Sequence, residues 1–321
     1  MSSLPQRVPD PSPQVRRDLE RLVGLVGDEP SSWAADVPGV GTFAEALYQA
    51  WYTTPPPTPV DHSDPAVQRR DLLGALRAAR AASEREAGIG AGAGADCLSD
   101  APWVVLATAP DGTLMVQRGG SMRQVRSGDY VSRARPGVPP APGEPVAVIA
   151  PTEHLDTERY LWWSFTEPPP EPPFGRVYLD VRPATAPRAI HVLTTALAEV
   201  AHQVKVPVLR EAYTRVDALV LYHQRADRAA VLQALRSAPW ECLLDAALPP
   251  LTCPVRPGMS WADDPAEEQS FGEHRCSALA VGIASRGEDW ARADCGGRVG
   301  MLLAALDVAG IDPAAPWQGI R

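Results

Sequence analysis

An α+β fold follows from three features of the sequence. Apolar residues recur at helical spacing through the first 86 residues, strand-like alternation begins at Trp103, and helices and strands then mix without strict βαβ order. Val15, Leu19, Leu22, Val23 and Val26 share one face of a first helix. Thr42 reads as the N-cap of a second, which carries Phe43, Leu47, Ala50 and Trp51 on one face and stops at Pro55-Pro56-Pro57. A third covers about residues 65–86, with Leu72, Leu73, Leu76 and Ala79 inward and an Arg-rich outer face that reads as solvated. The Gly/Ala run over 87–95 reads as a connector.

Trp103 to Thr108 and Thr113 to Arg118, joined at Asp111-Gly112, have the pattern of a β-hairpin, and Gly119-Gly120 turns into Met122 to Val125. The proline-rich stretch 136–145 divides the chain into two expected parts. Residues 1–138 form a helical and hairpin region for substrate or partner binding, and 139–321 form an α+β catalytic domain. In the second part, Val146 to Ala150, Tyr160 to Phe165, Arg176 to Val181, Val204 to Leu209 and Ala218 to Tyr222 are expected to build one mixed, largely antiparallel sheet. Helices flank it over about 184–202, 227–237, 270–285 and 297–309. Trp162 and Trp163, adjacent on a strand, point to opposite faces, so one belongs to the core, whereas Trp261 reads as loop.

Composition narrows the function. With 321 residues and 45% hydrophobic content the chain can fill a large core, and its net charge of -9 opposes general nucleic-acid binding. No signal-peptide pattern and no apolar run of membrane-spanning length is present, which gives a cytoplasmic, membrane-free expectation. The five cysteines and six histidines are scattered, without metal-ligand spacing. Phosphate-cradling loops of the GxxxxGK[ST] and GxGxxG kinds are absent, as are GxSxG, HExxH and a kinase catalytic loop. The expected chemistry is therefore carried by side chains alone, without metal or cofactor.

Of 30 Lys and Arg residues, Lys205 is the sole lysine. A coding bias toward Arg replaces surface lysines freely, but Arg cannot replace an amine that must lose its proton. Lys205 is thus either a required base or a chance survivor on a strand edge.

Two stretches carry a family resemblance. The first holds Arg176-Val-Tyr-Leu-Asp-Val, then Val204-Lys205-Val-Pro-Val-Leu, then Tyr213-Thr-Arg215-Val-Asp217-Ala-Leu-Val-Leu-Tyr222. The second runs from Pro257-Gly258 through Asp264-Pro265 to Ser270-Phe271-Gly272-Glu-His274-Arg275-Cys276. Both resemble the HopA-type type III effector-like family, with interruptions from about Leu47 to Val308. The resemblance implies a phosphoserine/phosphothreonine lyase of class V lanthipeptide and thioviridamide-like peptide biosynthesis. Its implied partners are a phosphorylated precursor peptide with its leader and a separate aminoglycoside-phosphotransferase-like kinase, acting together as a complex. The kinase phosphorylates Ser or Thr, and the lyase eliminates phosphate to leave dehydroalanine or dehydrobutyrine.

β-Elimination needs a base for the Cα proton and, across from it, an anion cradle with an acid. Lys205 suits the base if burial and neighbouring Arg charges lower its pKa from about 10.4 toward roughly 7 to 8, a shift worth about 3 to 5 kcal/mol. Arg176, Arg215 and Arg275 suit a phosphate dianion through bidentate guanidinium geometry. If their segment is extended, Tyr213, Arg215 and Asp217 share a face, and Asp217 holds a guanidinium in place; the same pair also reads as an ordinary surface ion pair. Ser270 reads as a helix N-cap whose amides face an anion. For the acid, His274 is the first candidate and Tyr213 or Tyr178 the alternatives, although a helical His is also commonly structural. A rival of another class fits the same sequence: a non-catalytic effector-like module that binds the kinase or the leader peptide through its helices, aromatics and strand edges.

Overall fold

A computed structural model describes residues 11–54, 65–86, 103–110, 112–118, 121–125, 130–132, 138–148, 153–166, 169–265 and 269–319. The Gly/Ala run over 87–95 and the Gly119-Gly120 turn lie outside them.

Helix α1 (Pro13–Val26) begins at Ser12, whose hydroxyl accepts from the Val15 amide, and buries the five apolar residues that its sequence spacing put on one face. After the short α2 (Pro30–Ala35), α3 (Phe43–Leu47) starts with a capping box between Thr42 and Glu45. It runs on as a π turn over Tyr48–Tyr52 that changes the phase of the helix and turns Trp51 and Tyr52 inward. Helix α4 (Pro65–Glu86) buries Leu72, Leu73 and Leu76. Its outer face is less solvated than its composition suggests, because Arg80 is buried and donates to the Phe165 carbonyl while Arg77 pairs with Glu153.

Two antiparallel sheets follow. The smaller contains β1 (Trp103–Thr108), β2 (Leu114–Arg118), β3 (Ser121–Val125), β4 (Tyr130–Ser132) and β5 (Pro145–Val148) in the order β3-β2-β1-β5-β4. It has its own core of Trp103, Val105, Leu114, Val116, Val125 and Val146. The strand at Val146 therefore belongs here, paired with Trp103, and not to the larger sheet expected from sequence. The proline-rich stretch leads into that strand.

The larger sheet contains β6 (Glu153–Asp156), β7 (Leu161–Phe165), β8 (Phe174–Leu179), β9 (His202–Pro207), β10 (Leu219–Gln224), β11 (Cys253–Arg256) and β12 (Met259–Asp263), in the order β11-β12-β8-β10-β9-β7-β6. Trp261 sits in β12 rather than in a loop. The β11–β12 turn is Pro257-Gly258, with Gly258 at φ +73°, and a Cβ there would collide with the Asp245 carbonyl oxygen. Helices α5 (Ala186–Ala196), α6 (Arg228–Ser237), α7 (Phe271–Ala284), α8 (Gly287–Arg292) and α9 (Cys295–Val308) complete the chain. None of the described helices is long and apolar enough to cross a membrane.

Strand alternation gives this sheet two different faces. One face packs Trp162, Val177, Leu179, Val204, Val206, Leu219 and Leu221 against α4, α5 and α6 in a dry aliphatic core. On the other, Tyr178, Val220, Tyr222 and Ala262 pack against α1, α3, α7 and α9. The N-terminal helices thus share the core of the C-terminal half.

Candidate functional site

Register places the sequence-selected residues. On the second face, Ser260, Tyr178, Val220, Lys205 and Trp163 form one cross-strand row, and Ala262, Arg176, Tyr222, Gln203 and Phe165 form the next. Lys205 and Arg176 therefore lie on one surface in adjacent rows. Lys205 is half-buried, its Nζ 5.6 Å from the centre of the Trp163 ring. Trp163 in turn lies 5.8 Å from Tyr222, whose ring carries the Arg176 guanidinium at 4.8 Å. The adjacent Trp162, by contrast, is fully buried in the dry core.

Two guanidinium centres flank this surface. Arg176 Nη2 donates to Asp264 at 2.7 Å, with the Arg176 side chain only 11% exposed. Its Nε is buried and has no hydrogen-bond partner among the described residues, and the same holds for Ser260 Oγ, in the next row. Burial opposes the Arg176 charge, but Tyr178, Tyr222 and Asp264 outweigh it and hold the group above the ordinary arginine range. Burial raises the Asp264 carboxyl, against the pull of Arg176, Lys205 and Arg225. Arg225 is shared with Asp263, which also pairs with Arg228, so two carboxylates and several cations meet at this end of the face.

The second centre precedes β10. Arg215 Nε donates to Asp217 Oδ1 at 2.8 Å, and its Nη2 donates to Asp217 Oδ2 at 2.9 Å and to the Tyr48 hydroxyl at 3.0 Å. The side chain is 41% exposed, and Nη1 has no bond among the described residues, so two N–H groups stay available to an anion. Phenols connect the two centres. Tyr48 stacks on Tyr52 with ring centres 5.5 Å apart, and the buried Tyr52 and Tyr178 hydroxyls influence one another's ionisation, both pushed up chiefly by burial. Hydrogen bonds join Asp217, Arg215 and Tyr48, whereas the buried Tyr52 hydroxyl has no partner among the described residues. Among the described residues no three His, Cys, Asp or Glu side chains gather as a metal-binding group.

The HopA1 effector protein family matches residues 150–317, more than half of the chain and every strand of the large sheet. The chain belongs to the HopA1 effector protein family. A solved effector protein from Pseudomonas syringae pv. syringae strain 61 is 15% identical, covers 97% of this chain and 99% of its own, and superposes with a TM-score of 0.50. The effector protein from Pseudomonas syringae pv. tomato strain DC3000 is 14% identical, with 94% of this chain and 98% of its own covered and a TM-score of 0.47. The first of these shows a shared fold. No curated protein matches the chain.

Within this member of the family, not all the sequence-selected residues meet. Arg176, Tyr178 and Lys205 lie on the one face, and Arg215 with Asp217 borders it. Tyr213 departs from expectation: its segment is a 3-10 turn over Arg210–Thr214 rather than extended chain, so it does not share a face with Arg215. Its hydroxyl donates to the Pro207 carbonyl at 2.9 Å inside the dry core, on the other side of the sheet. Arg275 also departs from the anion-binding expectation. It is fully buried and clamps the C-terminal segment, Nε and Nη2 donating to the Pro316 carbonyl and Nη2 also to that of Gln318, and burial lowers it to about 10. Its Nη1 donates to His274 Nδ1 at 2.8 Å; since a guanidinium only donates, that nitrogen accepts and the imidazole proton resides on Nε2. Ser270 caps α7 in a capping box with Glu273, so its side chain is occupied within the helix.

Tyr48 and Tyr52 are site residues that sequence reading missed. They lie upstream of the family match, and the π turn moves them off the helical face assigned from spacing. On the opposite side of the sheet, a cleft of about 450 Å³ lined by Glu86, His191, Val192, Thr195, Ala234 and Ala238 is mainly apolar, and its His191 is paired with Glu86.

Proposed function

We propose that this protein β-eliminates phosphate from phosphothreonine or phosphoserine in a ribosomal precursor peptide, giving dehydrobutyrine or dehydroalanine, and that it works with a separate aminoglycoside-phosphotransferase-like kinase. The observation that carries this reading is the co-facial placement of the sole lysine with two arginine centres. Lys205 lies one row from Arg176, and the Arg215–Asp217 pair precedes β10, whose Val220 is the cross-strand partner of Lys205. A phosphate held by the Arg215 Nη1 group or by Arg176 would bring Cα toward the Lys205 amine, which takes the Cα proton as the Cβ–O bond breaks. Carboxylates behind both guanidiniums fix their planes, so the fork is oriented before substrate arrives.

Phosphate release from a synthetic phosphothreonine peptide tests the reading. Lys205→Ala and Lys205→Arg should each lower turnover by at least about 10³-fold, with peptide binding within about threefold of the parent. Wild-type turnover in the Arg variant would remove the base assignment. A second reading, a docking module for the kinase or leader peptide, draws on the small sheet, where Val104, Leu106, Met115 and Met122 expose apolar side chains. It gains if the protein binds the leader but releases no phosphate.

A further inference from the structure

The N-terminal helices reach into the site, and one of their side chains is placed for chemistry that the family-matched segment does not supply. Tyr48 comes from the π turn that follows α3, about a hundred residues before the family match begins. It is half-buried, its ring is fixed by stacking on Tyr52, and an added Cβ at Gly272 of α7 would collide with both rings. Its hydroxyl accepts from Arg215 Nη2 at 3.0 Å, while its own proton points to Asp217 Oδ2 at a long 3.5 Å. The phenol therefore has its acceptor side engaged and its donor side only weakly held, next to the guanidinium that keeps free N–H groups.

We propose that Tyr48 is the general acid of the elimination, donating its phenolic proton to the bridging oxygen of the departing phosphate. The proposal rests on the lyase reading. Lys205 takes the Cα proton, the C–H electron pair becomes the Cα=Cβ bond, and the Cβ–O pair leaves on oxygen, which the Tyr48 proton neutralises as phosphate departs. Proton transfer from the Lys205 ammonium through solvent to the tyrosinate then restores both groups, so no further reactant is consumed. Asp217, which holds Arg215 beside Tyr48, is three residues from Val220, the cross-strand partner of Lys205, so the backbones at 217 and 220 lie within about 11 Å of each other. The other acid candidates are less well placed, since Tyr213 faces the opposite core, Tyr178 shares the face but is buried at 2% exposure, and His274 Nδ1 is bound by Arg275.

Tyr48→Phe retains the stacked ring and deletes only the proton. On a phosphothreonine peptide it should lower kcat by about 10²-fold with KM within about threefold. The same peptide carrying sulfothreonine separates catalysis from structure, because sulfate leaves without needing a proton: the variant should eliminate sulfate within about threefold of the parent rate. Equal losses on both esters, or a wild-type kcat on the phosphoester, would overturn the acid role. Where the parent processes only the phosphoester, the split between kcat and KM decides, and a loss carried mainly by KM overturns it. A parent protein that eliminates neither ester overturns the lyase reading, and the Tyr48 role falls with it.

Discussion

The two faces of the large sheet differ in what their polar groups do. Beneath α4, α5 and α6 the contacts are aliphatic, and the polar groups there are closed off; the Tyr213 hydroxyl, for example, is spent on a main-chain carbonyl. On the face toward α3 and α7, arginine, lysine and tyrosine are laid across strands in register, with Arg176 Nε and Ser260 Oγ buried and unpaired among the described residues. A period of two along each strand is enough to separate the two roles. The same ladder of hydrogen bonds supports a packed core on one side and a reactive surface on the other.

The adjacent tryptophans offer the sharpest way to break this contrast. Trp162→Ala should cost about 3–5 kcal/mol of stability by opening the dry core, with turnover per folded molecule unchanged. Trp163→Ala should cost no more than about 1–2 kcal/mol but lower kcat/KM at least tenfold, because the ring under the Lys205 amine is lost. Denaturant unfolding and phosphate release on both variants measure the two effects; equal stability losses would mean that both faces serve as core.

Arginines of the second face divide in a similar way. Arg275→Ala should destabilise by about 2–3 kcal/mol, since it strands the Pro316 and Gln318 carbonyls that a charged donor now satisfies. Arg215→Ala should also cost about 1–3 kcal/mol, since it strands the buried Asp217 carboxylate, but it should weaken binding of a phosphopeptide more than that of its unphosphorylated form. Calorimetry with the two peptides distinguishes these outcomes, and equal weakening of both would remove Arg215 from the anion site.

A further expected effect is the response to pH. Burial raises Asp180 to about 6, so its proton is held more tightly in the folded chain than in the unfolded one. Stability from this group is complete below about pH 4 and is lost as pH rises through 6. His202 acts in the opposite sense: burial lowers it to about 4, so the folded state loses stability as pH falls from 6.5 toward 4. Melting curves between pH 4 and 7 should therefore show Asp180→Asn gaining on the parent as pH rises, and a constant offset would refute the assignment.

Much of this architecture was legible in the sequence because it is local. Helical spacing located α1, capping residues marked the starts of α3 and α7, and alternation marked most strands. What escaped depends on distant partners. Glu153–Asp156 is too polar to read as a strand until Leu161–Phe165 pairs with it, and Val146 looks alike whichever sheet receives it. In the site, Arg176 and Lys205 stood out by residue type and motif. The use of Arg275 could not be read, because its acceptors are main-chain carbonyls that leave no mark in residue identity. Tyr48 was hidden by a one-residue change of helical phase.

Recognition of carbonyls rather than side chains has a consequence for how the last stretch of the chain can vary. Because the guanidinium at position 275 reads only the peptide backbone at 316 and 318, side-chain replacements at Gln318 should be nearly silent. Deleting a single residue between 316 and 318 would shift both oxygens out of reach, so in this segment length is constrained more tightly than composition.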